Sequence, residues 1–175
     1  MRIKNWFFDW TETIVVAFIL ALIIRAFFLQ VFWIPSSSME PTLNINERIV
    51  VNKVAYHFRQ PRRQEMVVFR QVLPLAARSQ EKNDLIKRVM GLPGEAFELK
   101  SGAVYINGKK IDEHHQLNQD YADFGPVVIP PGNYLVLGDN RPVSADSRFW
   151  GFLPQANFIG PAFLRLWPLS KFGLL

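Results

Sequence analysis

Apolar residues crowd together near the start of the chain and alternate with polar ones farther on. From Thr13 to Ile24 no charge occurs, and after Arg25 the apolar character resumes from Ala26 to Ile34. The stretch IVVAFILALII is apolar on every side instead of along one face, which suits lipid or deep burial. Even interrupted by Arg25 and Gln30, the segment has about the twenty residues that a spanning helix needs. A removable leader would end in small residues, whereas this segment ends in FFLQVFW. The pattern therefore predicts a transmembrane anchor over 13–33, with the Arg25 stem reaching the far headgroups and Trp6, Trp10 and Trp33 at the two interfaces. Arg2 and Lys4 ahead of it place residues 1–12 in the cytoplasm, and residues 34–175 outside.

Beyond Leu43 the period shortens. RIVVNKVAY, EMVVFRQ, DLIKRVMGL, EAFELKSGAVYINGKKI, GNYLVLGDN and NFIGPAFLRLW are short runs rich in β-branched and aromatic residues, bounded by Gly, Pro, Asn and Ser, and they predict strands. Lys100-Ser101-Gly102 and Asn107-Gly108 supply the positive φ of tight hairpin turns. They should pair Phe97–Leu99 with Val104–Ile106, and Val104–Ile106 with Lys109–Ile111. No long helix is expected here, so the fold class is mainly β with an antiparallel sheet. The stretches Pro74–Asp84 and Asp112–Pro131 read as loops.

Composition narrows the chemistry. The chain has 175 residues, room for one ordinary domain and an appendage. A net charge of +5 raises nucleic acid as a partner, but Lys and Arg are scattered among acids without the basic stripe that binding requires, and nucleic acid is set aside. The absence of cysteine removes disulfides, thiol catalysis and Cys-ligated zinc. The three histidines are His57, which follows a strand, and His114 and His115 in DEHHQLNQD, which reads as a solvated loop. No GxSxG, HExxH or GxxxxGK[ST] motif occurs, so histidine-based, metal and nucleotide chemistry find no support.

Three stretches remain. WIPSSSMEPTL follows the apolar segment and is compatible with a polar linker, or with a helix start in which Ser37 and Glu40 form a capping box. In DLIKRVMGL, Lys87 stands among Leu85, Ile86, Val89 and Met90; it is either an outward strand lysine or a buried amine, whose pKa burial would lower until it could act as a base. GDNRPVSADSRFWGFLP is dense in short polar groups: a turn with a local ion pair, or an extended segment that points Ser144, Asp146 and Arg148 to one side.

Taken together, IPSSSMEPTL, RIVVNK, VVFR, IKRVMGLPGE and GDNRPVSADSRFWG, in that order after an apolar segment, resemble the type I signal peptidases, membrane-bound serine proteases that cut signal peptides from exported proteins. The resemblance runs from Ile34 to about Gly160. It implies an antiparallel β catalytic domain with one N-terminal transmembrane helix, in which Ser38 is the nucleophile and Lys87 the general base. It further implies that Ser36 and the Ser38 N–H form the oxyanion hole, that Ser144 orients the lysine, and that Asp146 and Arg148 form a supporting ion pair. Ile34, Met39, Leu43 and Ile86 are implied around shallow pockets for the small residues of an Ala-X-Ala site. No metal or cofactor is implied, and the partners are exported preproteins and the bilayer of the cell membrane. The chain departs from the family at NERIVVNK, RRQEMVVF and Glu95, and at Pro142-Val143 beside Ser144. A membrane-anchored peptide-binding module, or an inactive homologue, is the alternative. A self-cleaving Ser/Lys repressor would carry a DNA-binding helical domain in place of this apolar N-terminus.

Overall fold

The computed structural model describes residues 3–70 and 84–175. Helix α1 spans Ile3–Phe27, with side chains described from Trp10 to Leu22 and again at Phe27. Among the described residues no helix is long and apolar enough to cross a membrane. The side chains of Trp6 and Arg25 lie outside the described part.

The helix does not run to Trp33. Strand β1, Leu29–Trp33, begins one residue after it and pairs antiparallel with β2, Arg48–Asn52, in the register Leu29↔Asn52 to Trp33↔Arg48. Continuous apolarity hid this change of period, since a buried strand and a helix read alike in such a run. Strand β2 itself stops at Asn52, whose Oδ1 accepts the N–H groups of Val54 and Ala55 and opens a single helical turn, α2, Ala55–Phe58. An Asn side chain that satisfies early helical donors favours such a start.

Strands β3 (Met66–Arg70), β4 (Asp84–Gly91), β5 (Ala96–Lys100), β6 (Ala103–Ile106), β7 (Lys109–Lys110), β8 (Phe124–Val128), β9 (Asn133–Leu137), β10 (Leu153–Pro154), β11 (Phe158–Trp167) and β12 (Gly173–Leu174) complete the domain, with a short helical turn α3 at Ser147–Trp150. One sheet has the order β1-β2-β11-β3-β4-β9-β10, with β12 added to β11; the other is β7-β6-β5-β8. All the strand pairings are antiparallel, as the alternating pattern predicts. β11 joins both halves of the larger sheet, pairing with β3 from Phe158 to Pro161 and with β2 from Ala162. Gly160 is needed at this junction: a Cβ there would lie 2.1 Å from the Asn52 carbonyl oxygen.

Both hairpins occur in the predicted registers, with Ser101, Gly102, Asn107 and Gly108 all at positive φ. Within the stretch expected to be loop, Phe124–Val128 forms the edge strand β8 on β5. Its Gly-Pro pair reads as a breaker, yet an edge position leaves a proline's missing donor unneeded. Residues 74–83 of the other expected loop lie outside the described residues.

The side chains pack into three apolar clusters. One, built from Ile34, Met39, Leu43, Ile49, Val68 and Ile86 with their neighbours, lies between the larger sheet and the serine-bearing segment. A second joins the two sheets through Met90, Phe97, Leu99, Ile129 and Leu135. The third sits under β9 and β10 around Phe69, Tyr134 and Leu153. Fully burying one such side chain contributes roughly 1.5–3 kcal/mol, so the clusters hold the surrounding loops firmly enough to fix polar groups between them.

Candidate active site

Ser36–Glu40 connects the first apolar cluster to a polar pocket. No capping box forms: Ser37–Met39 is a single 3-10 turn without a side-chain cap, and Glu40 is extended. Glu40 precedes Pro41, and the residue before a proline is pushed out of the helical region. The turn stays short, with Ser38 and Met39 buried.

Lys87 Nζ donates to Ser38 Oγ at 2.6 Å, across 49 residues of sequence. Lys87 is 4% exposed and Ser38 9%. Burial pushes the Lys87 ammonium down from 10.5 to about 8, against the opposing pull of Asp146 and Asp139. Desolvation wins here because both carboxylates are already engaged by other cations. Ser36 Oγ stands 3.3 Å from Ser38 Oγ, so three polar groups converge on one point.

The turn that follows β9 closes the site from behind. Asn140 donates its backbone N–H to the Ser38 carbonyl at 3.1 Å and its Nδ2 to the Ser37 carbonyl at 3.0 Å. The Glu40 N–H also donates to the Ser37 oxygen. Because a trans peptide is planar, pinning the Ser37 C=O also fixes the direction of the Ser38 N–H on its far side. Gly138 admits this approach: a Cβ there would stand 2.3 Å from Ser144 Oγ and 2.5 Å from the Ser38 carbonyl oxygen.

Asp146 and Arg148 form the ion pair that the resemblance implies, with Arg148 Nε donating to Asp146 Oδ1 at 2.8 Å. Fully buried, Asp146 also accepts the N–H of Gly138 at 3.0 Å and that of Arg148. A buried carboxylate is tolerated when so paired. Arg148 adds Asp120 Oδ2 at 3.0 Å and the Arg141 carbonyl at 2.6 Å. Ser144 is buried beside Gly138, and its Oγ makes no hydrogen bond among the described residues.

Beside the pair lies a cavity of ≈ 40 Å³, bounded by Trp33, Ile34, Ser36, Ser38, Ile86 and Lys87 among others. About 10–15 Å³ of such space holds one water, so the cavity admits a small side chain and not a bulky one. Ile34 and Ile86 line it as expected. Met39 and Leu43 are fully buried in the apolar cluster that Ile34 and Ile86 share. The outer edge of the cavity is backbone. β9 pairs with β4 only from Arg88 onward, so Asp84–Lys87 has no partner strand on that side among the described residues.

Several contributors escaped the sequence reading. Asp139 accepts Arg88 Nε at 2.9 Å and Nη2 at 2.6 Å. His115 is not solvated: its side chain is 9% exposed and packs against Glu113 and Asp139. The adjacency of Arg88 to Lys87 and the string GDNR were the available signals for Asp139 and Asn140. For His115 there was none.

A serine hydroxyl held by a buried amine of lowered pKa, on an antiparallel β domain, is an arrangement suited to serine–lysine hydrolysis. Residues 7–167 match the family described as signal peptidase, peptidase S26. Probable signal peptidase I-2 of Synechocystis sp. is 45% identical over 172 residues, covering 98% of this chain and 78% of its own. Signal peptidase I of Leptolyngbya laminosa is 45% identical over 166 residues, covering 94% and 81%. A crystal structure of a signal peptidase I from Enterococcus faecalis V583 is 33% identical and covers 59% of this chain and 97% of that one, with a TM-score of 0.47. The chain belongs to the signal peptidase family, peptidase S26.

Proposed function

We propose that the chain is a type I signal peptidase, a serine endopeptidase that removes N-terminal signal peptides from exported preproteins after Ala-X-Ala-like sites. The observation that carries this reading is the 2.6 Å contact between Lys87 Nζ and Ser38 Oγ in a buried niche. The substrate lies extended along the free edge of Asp84–Lys87, where backbone hydrogen bonds supply affinity. The small cavity beside Ile34 and Ile86 selects a methyl-sized side chain next to the scissile bond.

Ser38 Oγ attacks the scissile carbonyl carbon while neutral Lys87 takes its proton. The developing oxyanion is met by the Ser38 N–H and Ser36 Oγ, donors already aimed before the charge appears. The C–N bond then breaks, and Lys87 returns the proton to the amine of the departing mature chain. Water attacks the acyl-enzyme, gives its proton to Lys87, and the ester bond opens to release the signal peptide and restore the Ser38 hydroxyl. Asp146, through the Gly138 N–H, and Arg148, through the Arg141 carbonyl, hold the turn that carries Asn140, and Ser144 beside Gly138 is assigned to orienting Lys87.

The same reading places an anchor within residues 13–33, its helical part ending at Phe27, with residues 1–12 cytoplasmic and the catalytic domain from Ile34 on the outer face of the cell membrane. Support comes from Ile14, Phe18, Ile19 and Leu22, all exposed on α1. Trp33 and Trp167, both exposed, flank Arg48 in register across β1, β2 and β11. Tryptophans in such a row suit the headgroup boundary. Incubation of the purified protein in detergent with an Ala-X-Ala preprotein tests the reaction: the wild type cleaves it, and Ser38→Ala and Lys87→Ala do not. Full activity in either variant refutes the dyad, and an inert wild type marks an inactive homologue.

A further inference from the structure

We propose that Asp112–Asp123 is a strap that positions the nucleophile, and that His115 is the positioning residue that locks it down. The inference rests on the hydrolase reading above but draws on a segment that reading does not use. The strap leaves β7, crosses behind the site and reaches β8, touching both halves of the catalytic framework on the way. Its Asn118 N–H donates to the Asp139 carbonyl at 2.9 Å, and its Asn118 carbonyl accepts the Arg141 N–H at 3.1 Å, so Asn118 runs as a parallel bridge beside Asn140. Its Gln116 carbonyl accepts Thr42 Oγ1 at 3.2 Å, from the segment that carries Ser38. At its two ends, Gln64 Nε2 donates to the Asp112 carbonyl at 2.8 Å and Arg148 Nη1 to Asp120 Oδ2 at 3.0 Å.

His115 occupies the middle of these attachments. Its Nε2 stands 3.4 Å from Glu113 Oε1 and 3.5 Å from Asp139 Oδ1, and neither ring nitrogen makes a well-aligned hydrogen bond. Around it the charges are paired: Glu113 with Arg141, and Asp139 with Arg88. Burial would push the Glu113 carboxyl up, but His115 and Arg141 outweigh it and hold it below the usual carboxylate range. The imidazole thus stands between the Glu113 carboxylate of the strap and the Asp139 carboxylate of the turn after β9. Asp139 immediately precedes Asn140, which pins the Ser37 and Ser38 carbonyls and with them the Ser38 N–H. A shift at Asp139 therefore reaches the oxyanion donor through two peptide units. Errors of about 1 Å in such geometry cost up to about a hundredfold in rate.

The test compares His115→Ala, His115→Gln and Asn140→Ala in the full chain, with the double variant His115→Ala/Asn140→Ala. His115→Ala is expected to lower kcat about tenfold, with KM changed less than about twofold, because the donor is misplaced and the binding edge is untouched. His115→Gln keeps a donor toward the carboxylates and is expected to recover most of the rate. The losses in the double variant are expected to fall well short of additive, since both residues act on one element. An unchanged kcat in His115→Ala, a change in KM alone, or fully additive losses would overturn the proposal. Should His115→Ala fail to fold, His115→Gln against His115→Leu reads the same split. Amide exchange at Asn140 separates the two readings. Faster exchange in His115→Ala from a protein that cleaves no preprotein sinks the peptidase reading and keeps the strap, whereas unchanged exchange in an active protein sinks the strap alone.

Discussion

Replacing Lys87 by Met keeps the length of the side chain and removes its charge. In the folded protein the amine titrates near 8 instead of 10.5, chiefly because burial disfavours the ammonium. At about 1.4 kcal/mol per pH unit, this difference amounts to about 3 kcal/mol of destabilisation below pH 8. The folded pKa is the lower one, so the cost is fully present below about 8, is relieved as pH rises between 8 and 10.5, and is gone above 10.5. Losing the hydrogen bond to Ser38 takes back about 1 kcal/mol. Lys87→Met should therefore be more stable than the wild type by about 2 kcal/mol at pH 7, the gain should vanish at about pH 10, and by pH 11 the variant should be about 1 kcal/mol less stable, while preprotein cleavage is lost at every pH. Urea unfolding in mild detergent at pH 7, 9 and 11, taken as the difference between the two proteins, measures this directly. A methionine variant no more stable at pH 7, together with a difference that stays flat across the alkaline range, would refute the argument that burial lowers this lysine. The same titration governs the rate. The neutral fraction of an amine with a pKa near 8 rises about tenfold between pH 7 and 9, and kcat/KM of the wild type should follow it.

Gly138→Ala forces a methyl to within 2.3 Å of Ser144 Oγ; a loss of about 2 kcal/mol in urea unfolding and at least about tenfold in cleavage is expected, since overpacking typically costs 1–3 kcal/mol. Ser36→Ala should lower kcat about a hundredfold with little change in KM, as loss of one oxyanion donor does. Asp146→Asn leaves the buried Arg148 guanidinium short of its carboxylate and should cost about 3 kcal/mol. It also removes an anion that holds the Lys87 pKa up, so the midpoint of the pH–rate curve should move to lower pH.

The strands, their antiparallel pairing and both hairpins were legible because alternation and turn residues act locally. Ser101-Gly102 and Asn107-Gly108 fix φ within two residues, and nothing distant overrides them. β1 was not legible: Leu29–Trp33 continues an apolar run, and only its pairing with β2 makes it a strand. β8 was missed because Gly125-Pro126 breaks a central strand but is tolerated at an edge. The pairing of Ser38 with Lys87 is suggested by the resemblance and not by spacing, since 49 residues separate the two along the chain. Met39 and Leu43 are fully buried in the cluster that Ile34 and Ile86 share, a packing that spacing along the chain does not reveal. His115 stood in a run as polar as any solvated loop, and its burial follows from the docking of Asn118 beside Asn140, a long-range event that composition does not encode.

The helix and the larger sheet meet with almost no slack, since one residue, Phe28, separates them and its carbonyl is tied to the Lys53 N–H at 2.9 Å. Five residues of extended chain then rise about 16 Å before the serine-bearing turn begins. The junction works as a ruler: whatever plane holds the end of α1, the hydroxyl of Ser38 is kept at a set height from it. A peptide whose cleavable bond rides higher or lower would have to bend to be cut, so stature as well as sequence becomes a criterion of choice.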